Sequence, residues 1–230
     1  MHNLAPHFRI GIVLVTALAW CGLLIVGRVL WTWTLDYAFL VWNLGLAAIP
    51  LFLSSIMMWQ RHLVMWVVLG PLWLLFLPNA PYVITDFVHL RALDSGPLWL
   101  DVLMVSSCAG TGLAMGYCSL MQIHSLFIRA KRELLGWFVT MGALLLSGFG
   151  IYLGRFLRWH SFDILLNPSL LLGDVAERIL YPWMHLRTWG VTLGFGVFLC
   201  IGYAAAMAIG RGSQTIENEG IMRECQEIHH

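Results

Sequence analysis

The chain has 230 residues, of which 60% are hydrophobic and 11% are charged, and its mean hydropathy is +0.79. Soluble domains carry about 25% charged residues, so this composition excludes an ordinary soluble domain and indicates a membrane protein. A net charge of +1 offers no basis for nucleic-acid binding, and we predict no nucleic-acid partner. The five cysteines contain no C-x-x-C pair, so they predict neither a disulfide framework nor a metal site.

Six apolar runs are separated by polar segments, and each is long enough, or nearly so, for the roughly 20 residues that cross a bilayer. The first run is too long for a signal sequence, so we predict an uncleaved first span. The runs are residues 10–30, 37–59, 63–77, 98–128, 134–157 and 189–209. They predict an all-α fold, a polytopic membrane helix bundle. Residues 1–210 would form one transmembrane domain, and residues 211–230 a polar, partly disordered cytoplasmic tail.

The orientation follows from two short basic loops, Gln60–His62 and Arg129–Glu133. With six spans, both loops lie on the same side of the membrane as the N-terminus. Cytoplasmic loops are enriched in Lys and Arg, so we predict that both termini are cytoplasmic. The loops after the first, third and fifth spans then lie on the outer face.

The most polar interruption of the apolar pattern is Leu77–Arg91, with the sequence LPNAPYVITDFVHLR. Such a density of hydrogen-bonding groups at the mouth of a span is costly unless the protein uses it. Asn79 is a suitable N-cap for a short outer-face helix, in which Tyr82, Asp86 and His89 fall at i, i+4 and i+7 on one face. Asp86 and His89 then point to a common ligand as a candidate acid and base, or they bond to each other and only fasten the loop.

Topology places two more polar clusters beside this stretch. One is Asn43, at the start of the second span, and the other is the segment 154–163 at the end of the fifth. Within that segment, Arg155 and Arg158 are i, i+3 neighbours that would form a clamp for phosphate or carboxylate. Alternatively, the two arginines snorkel to lipid headgroups beside Trp159, or they pair with acidic side chains of these clusters.

A metal ion is another ligand that these clusters could bind. Asp86-x-x-His89 and His160-x-x-Asp163 have mirror-image spacings, and carboxylates with imidazoles suit Zn²⁺ or Mn²⁺. No recognised metal motif, P-loop or dinucleotide fingerprint supports a cofactor, so the four residues are only weak metal candidates and we predict no cofactor. The predicted ligand-binding residues are Asn43, Asn79, Tyr82, Asp86, His89, Arg155, Arg158 and Asp163.

The last outer segment predicts an amphipathic interfacial helix. Asn167–Pro168 combines an N-cap with proline in the first turn, and Pro182 ends the helix. Its apolar stripe consists of Leu171, Leu172, Val175 and Ile179. Elsewhere, three glycine pairs have the small-xxx-small spacing that allows close helix approach: Gly112 and Gly116, Gly150 and Gly154, and Gly190 and Gly194.

At the three outer-face clusters the chain resembles an uncharacterised family of bacterial multi-pass membrane proteins, domain of unknown function 1361. The resemblance covers about residues 37–189 and implies a bacterial inner-membrane protein, but it implies no activity. Asn is more usual in the family at His160 and Trp at Phe162, which weakens the four-ligand metal hypothesis. The matching residues are Trp42-Asn43-Leu44 and Pro50, Leu77 to Tyr82, Thr85-Asp86, His89-Leu90, Gly154 to Trp159, Ser161 and Asp163.

Three functions are open from the sequence. The leading hypothesis is binding of an anionic, lipid-linked group by Arg155 and Arg158, with membrane lipids as partners. The second is a non-enzymatic subunit that docks a membrane protein through its outer loops and interfacial helix. Transport ranks last because polar residues within the spans are few, and no reaction class is indicated.

Overall fold

The structure is a computed structural model that describes residues 6–59, 63–91, 97–159 and 168–228. All secondary structure within these ranges is helical, which confirms the all-α prediction. Two of the helices are 3-10 helices, Val83–Arg91 and Pro182–Met184. The α-helices are α1 (Pro6–Thr32), α2 (Phe39–Trp59), α3 (Leu63–Phe76), α4 (Asn79–Tyr82), α5 (Leu98–Arg129), α6 (Glu133–Phe156), α7 (Pro168–Leu180) and α8 (Leu186–Ile228).

Six helical segments of the described chain are long and apolar enough to cross a membrane, as predicted. Five of them lie in α1, α2, α5, α6 and the first part of α8. The remaining segment is Val64–Leu90, which is longer than the predicted third span because α3 leads through Pro78 into α4 and the 3-10 helix. Pro78 adopts helical angles, φ −59° and ψ −24°, which the proline ring readily allows.

Helix α5 lies at the centre of the bundle and contacts α1, α2, α4 and α6, whereas α8 packs along α6. Buried hydrogen bonds join three of the spans. The Trp73 indole N–H donates to Ser119 Oγ at 2.7 Å, and Ser119 Oγ donates to the Pro50 carbonyl oxygen at 3.0 Å. Because hydrocarbon offers no partners for polar groups, these bonds satisfy the groups internally and fasten α3 and α2 to α5.

Polar segments gather at one end of the bundle, which we call the loop-rich end. It comprises residues 33–38, 77–91, 157–159 and 181–185. The α5–α6 turn lies at the opposite end, where Lys131 has φ 55° and the Arg132 N–H donates to the Phe127 carbonyl at 2.9 Å. This is the Schellman arrangement, in which a left-handed residue ends a helix.

The α5 side of the loop-rich end makes room for the backbone of α4. A Cβ on Gly112 would lie 2.8 Å from the Ala80 carbonyl oxygen, and one on Gly116 would lie 2.9 Å from Ala80 Cβ. Contacts this short are tighter than side chains tolerate, so only glycine lets α4 approach α5 so closely.

Helix α6 makes room for the same segment on the other side. A Cβ on Gly150 would lie 2.5 Å from Pro78 Cγ, and one on Gly154 would lie 3.0 Å from Tyr82 Cε2. Two of the three predicted glycine pairs therefore hold the polar stretch against two helices. Helix α4 therefore packs in a space that glycines of α5 and α6 leave open.

The tail expectation is partly wrong. The backbone of α8 stays helical from Leu186 to Ile228, past the end of the last span at Gly210, so residues 211–228 continue the helix instead of being disordered. The segment contains no proline, and its good helix formers Glu, Gln, Arg and Met outnumber its two glycines, which favours continuation of the helix.

The predicted interfacial helix is α7, and Pro182 lies in the 3-10 helix that follows it. Leu171 is buried, whereas Leu172 and Ile179 are exposed, so the predicted stripe spreads over more than one face. The proposed N-cap, Asn167, lies outside the described residues.

Gly150→Ala should destabilise the protein, because the new Cβ would overlap Pro78 and overpacking costs about 1–3 kcal/mol. Gly190→Ala is the matched control, since a Cβ there would meet nothing within 4 Å. Its stability should be unchanged or slightly raised, because Ala is the better helix former. Thermal unfolding of both variants in one detergent measures the difference. Equal melting temperatures would contradict the requirement for glycine at the contact between Gly150 and Pro78.

Candidate functional site

The centre of the candidate site is the carboxylate of Asp86, whose side chain is only 1% exposed. Asn43 Nδ2 of α2 donates to Asp86 Oδ2 at 2.8 Å, and Arg155 Nη1 of α6 lies 3.5 Å from Oδ1. The three polar clusters that the sequence placed at one face are therefore in contact. A buried carboxylate needs such partners, because an uncompensated charge inside a membrane protein is strongly unfavourable.

Arg155 is held at a fixed position. Its Nη2 donates to the Thr85 carbonyl at 2.6 Å, and its guanidinium carbon lies 5.8 Å from the centroid of the Tyr82 ring. The side chain is 18% exposed. A snorkelling arginine would instead extend into the headgroup region, so the pairing with Asp86 considered from the sequence describes Arg155 better.

Residues 83–91 form a 3-10 helix where the sequence predicted an α-helix, so the expected face shared by Tyr82, Asp86 and His89 is wrong. The run Val83–Thr85 is β-branched, which disfavours the α-helix, and Thr85 Oγ1 donates to the Tyr82 carbonyl at 2.7 Å. With three residues per turn, Asp86 and His89 still share a face, whereas Tyr82 ends α4.

His89 and Asp86 have different partners. The His89 ring packs on Phe39, with the ring centroids 4.9 Å apart, whereas the Asp86 carboxylate contacts Asn43 and Arg155. No hydrogen bond joins His89 to Asp86, so the loop-fastening pair considered from the sequence does not form.

Asn79 is the first residue of α4 and does not cap it, which corrects the predicted N-cap. Its Nδ2 instead donates to the Phe76 carbonyl at 3.0 Å. The N–H of Tyr82 has a backbone acceptor in Pro78, because the chain enters α4 already in a helical conformation. The Asn79 side chain therefore donates a hydrogen bond at the end of α3, where the last backbone carbonyls have no N–H donor within the helix itself.

Arg158 lies at the loop-rich end, beyond the end of α6 at Phe156, so it does not share a helical face with Arg155 as the i, i+3 spacing predicted. It also does not join Asp86. It is exposed, has φ 60°, and has no hydrogen-bond or ion-pair partner among the described residues. Beside it, the Trp159 indole N–H donates to Asp174 Oδ2 of α7 at 2.8 Å. Trp159 thus fastens α7 to the end of α6.

The metal hypothesis gains no support. His160 and Asp163, which are half of the proposed metal ligands, lie outside the described residues. The predicted part of Asp163 in the ligand-binding site lies outside them for the same reason. Within the ranges that are described, no group of three or more His, Cys, Asp or Glu side chains could hold a metal ion.

Sequence reasoning missed a second buried ion pair. Arg28 Nε of α1 donates to Asp101 Oδ1 of α5 at 2.6 Å, and the Tyr37 hydroxyl lies 3.3 Å from Asp101 Oδ2. Arg28 is 1% exposed and Asp101 2%. The available signal was one charged residue near the end of the first apolar run and another near the start of the fourth, since charges within spans are rare without a partner.

Tyr37 connects the two ion pairs. Burial, followed by the negative charge of Asp101, raises the pKa of Tyr37 to about 12, so the phenol stays neutral and can donate. Its ring centroid is 6.0 Å from that of Phe39, which in turn packs on His89. Packed rings therefore run from the first pair to the 3-10 helix that carries the second.

Residues 42–201 match the family described as "Protein of unknown function (DUF1361)". The chain belongs to this family. The matched range contains Asn43, Asp86 and Arg155 and excludes Arg28 and Tyr37, so the candidate site lies within the family domain. No curated protein and no solved structure matches the chain.

Arg155→Ala should lower the free energy of unfolding by about 3 kcal/mol, because it leaves Asp86 buried without its cation. Adding Asp86→Asn should recover part of this loss, since the new amide carries no charge. Chemical unfolding of the two single variants and the double variant measures the coupling. Additive losses would show that the two side chains do not stabilise each other.

Proposed function

We propose that this protein binds an anionic group at its loop-rich end through Arg155 and Arg158. The loop-rich end would face the outside of a bacterial inner membrane, with both termini in the cytoplasm. Arg129, Lys131 and Arg132 at the opposite end support this orientation, because cytoplasmic loops are enriched in such residues.

The observation that carries the proposal is the fixed position of Arg155. Its contacts with Asp86 and the Thr85 carbonyl engage only part of the donors of the guanidinium group. The side chain keeps some exposure, so its remaining N–H groups are available to a planar or tetrahedral oxyanion. A guanidinium that is held in advance loses less conformational entropy on binding than a free one.

Arg158 supplies the charge that Arg155 lacks. Asp86 already balances Arg155, whereas Arg158 has no partner among the described residues and lies three positions further along. An anion held between them would be stabilised by both guanidinium groups. Arg158 also has φ 60°, where a side chain is disfavoured and glycine is the usual residue.

Arg158→Gln should reduce the binding of anionic lipid, and Lys131→Gln is the matched control. Lys131 is also a cation at the end of a helix, with φ 55°, but it lies at the other end of the bundle. Native mass spectrometry with phosphatidylglycerol and with phosphatidylcholine counts the bound lipids. We expect about a tenfold loss for phosphatidylglycerol, which corresponds to one charge-assisted contact, and no change for phosphatidylcholine. Equal losses in the two variants would contradict an anion site at Arg158.

Arg158→Gly should raise stability while it weakens lipid binding. Glycine removes the strain of the left-handed conformation, for which the expected gain is about 1 kcal/mol. Lys131→Gly should give a similar gain in melting temperature, because it removes the same strain, and should leave binding unchanged. A loss of stability in Arg158→Gly would show that the arginine side chain has a structural role, and unchanged lipid binding would show that its charge does not contact the lipid.

A further inference from the structure

We propose that Cys21 and Cys108 form a binding site for one copper(I) ion inside the helix bundle. The ion would lie between the two sulfur atoms and replace the proton that the two thiols share. This site is separate from Asp86, Arg155 and Arg158, so it does not depend on the proposed anion site.

The fold brings together two cysteines that are distant in sequence. Cys21 lies on α1 and Cys108 on α5, and both are 0% exposed within one hydrophobic cluster. Their side chains are hydrogen-bonded to each other, and neither forms a disulfide. The sequence contains no C-x-x-C pair, so only the packing of α1 on α5 reveals that two thiols are in contact.

The protons of the two thiols have defined positions. The Thr111 hydroxyl donates its one hydrogen to the Ser107 carbonyl at 2.8 Å. In its contact with Cys21 Sγ at 3.4 Å, Thr111 Oγ1 is therefore the acceptor and the Cys21 thiol is the donor. The hydrogen between the two sulfur atoms then belongs to Cys108. A cation that prefers sulfur ligands would bind at the position of this hydrogen.

Exchange of this proton for a monovalent ion suits the surroundings. Cys21 lies within the span Arg9–Thr32 and Cys108 within the span Leu98–Arg129, each about 15 Å along its helix from the loop-rich end. An uncompensated charge at this depth is strongly unfavourable. When Cys108 releases one proton to the solvent and the pair binds one monovalent ion, the net charge stays at zero. The Cys21 thiol keeps its hydrogen bond to Thr111.

The available ligands favour copper(I) over zinc. Structural zinc is held by four ligands, and within the described part of the chain no group of three or more His, Cys, Asp or Glu side chains could hold a metal ion. Thiolates and thioethers are ligands that select copper(I), which forms stable complexes with only two of them. Met104 and Met115 lie on the same face of α5 as Cys108 and are buried in the same cluster, so further sulfur ligands are near.

The cysteine pair adjoins the polar stretch at the loop-rich end. Its cluster includes Ala80 of α4 and Val83 of the following 3-10 helix. An ion bound by Cys21 and Cys108 would join α1 to α5 beside these residues, and binding to the folded state alone should raise its stability. Cys21 lies outside the range 42–201 that matches the family, so the site would be a property of this chain and not of the family domain.

The test uses silver(I), which has the same preference for sulfur ligands as copper(I) and does not oxidise thiols. Full-length protein in neutral detergent is titrated with silver nitrate, with reduced glutathione as the competing ligand, and native mass spectrometry counts the bound ions. Cys21→Ser and Cys108→Ser each remove one ligand and keep a hydrogen-bonding group. The matched control replaces the other three cysteines with serine: Cys118, Cys200 and Cys225.

We expect the unmodified protein and the triple control to bind one silver ion each against glutathione, and to melt at a higher temperature when the ion is bound. Each single variant should lose at least about 100-fold in affinity, because one of two ligands is missing. Equal affinities in the single variants and the unmodified protein would overturn the proposal.

X-ray absorption at the silver edge tests the site on the unmodified protein, so the result stands even if a serine variant does not fold. Two sulfur ligands support the proposal, and nitrogen or oxygen ligands overturn it. A third measurement is the intact mass of protein purified without an added oxidant. If that mass is lower by two hydrogen atoms and peptide mapping joins residues 21 and 108, the pair is a disulfide and the metal site is excluded.

Discussion

The loop-rich end depends on the burial of one carboxylate, that of Asp86. A charge that is 1% exposed in an apolar bundle is tolerated only when its partners are near. Asn43 and Arg155 provide them, and they come from helices that are distant in sequence. The same contacts that neutralise the carboxylate therefore set the positions of α2, the 3-10 helix and α6 relative to one another.

Glycine makes this arrangement geometrically feasible. A polar turn could not reach the interior if side chains covered α5 and α6 at the crossing, and Gly112 and Gly150 leave that space open. Arg28 and Asp101 add a second buried pair at the same end, so α1 is held there as well. Packed rings from Tyr37 to His89 join the two pairs, which makes one end of the bundle a continuous polar and aromatic unit.

The span count and the meeting of Asn43, Asp86 and Arg155 were predictable, because hydrophobic length determines which loops share a membrane face. The local geometry was not. The β-branched run Val83–Thr85 disfavours an α-helix over residues 83–91, but the bond from Arg155 to the Thr85 carbonyl joins distant segments and cannot be read from the local sequence. The pairing of Arg28 with Asp101 depends on how α1 and α5 are rotated about their own axes. A helix that is apolar on all sides gives little indication in its sequence of that rotation.

The two arginines of the site differ in what each would offer an anion. Arg155 is immobilised by a carboxylate, so it offers geometry but little net charge. Arg158 offers charge, and its backbone conformation is one that glycine would adopt more easily. A site that served only to hold the bundle together would need the first arginine and not the second. The presence of both, three residues apart, is the basis on which we propose recognition of an anion and not only a structural ion pair.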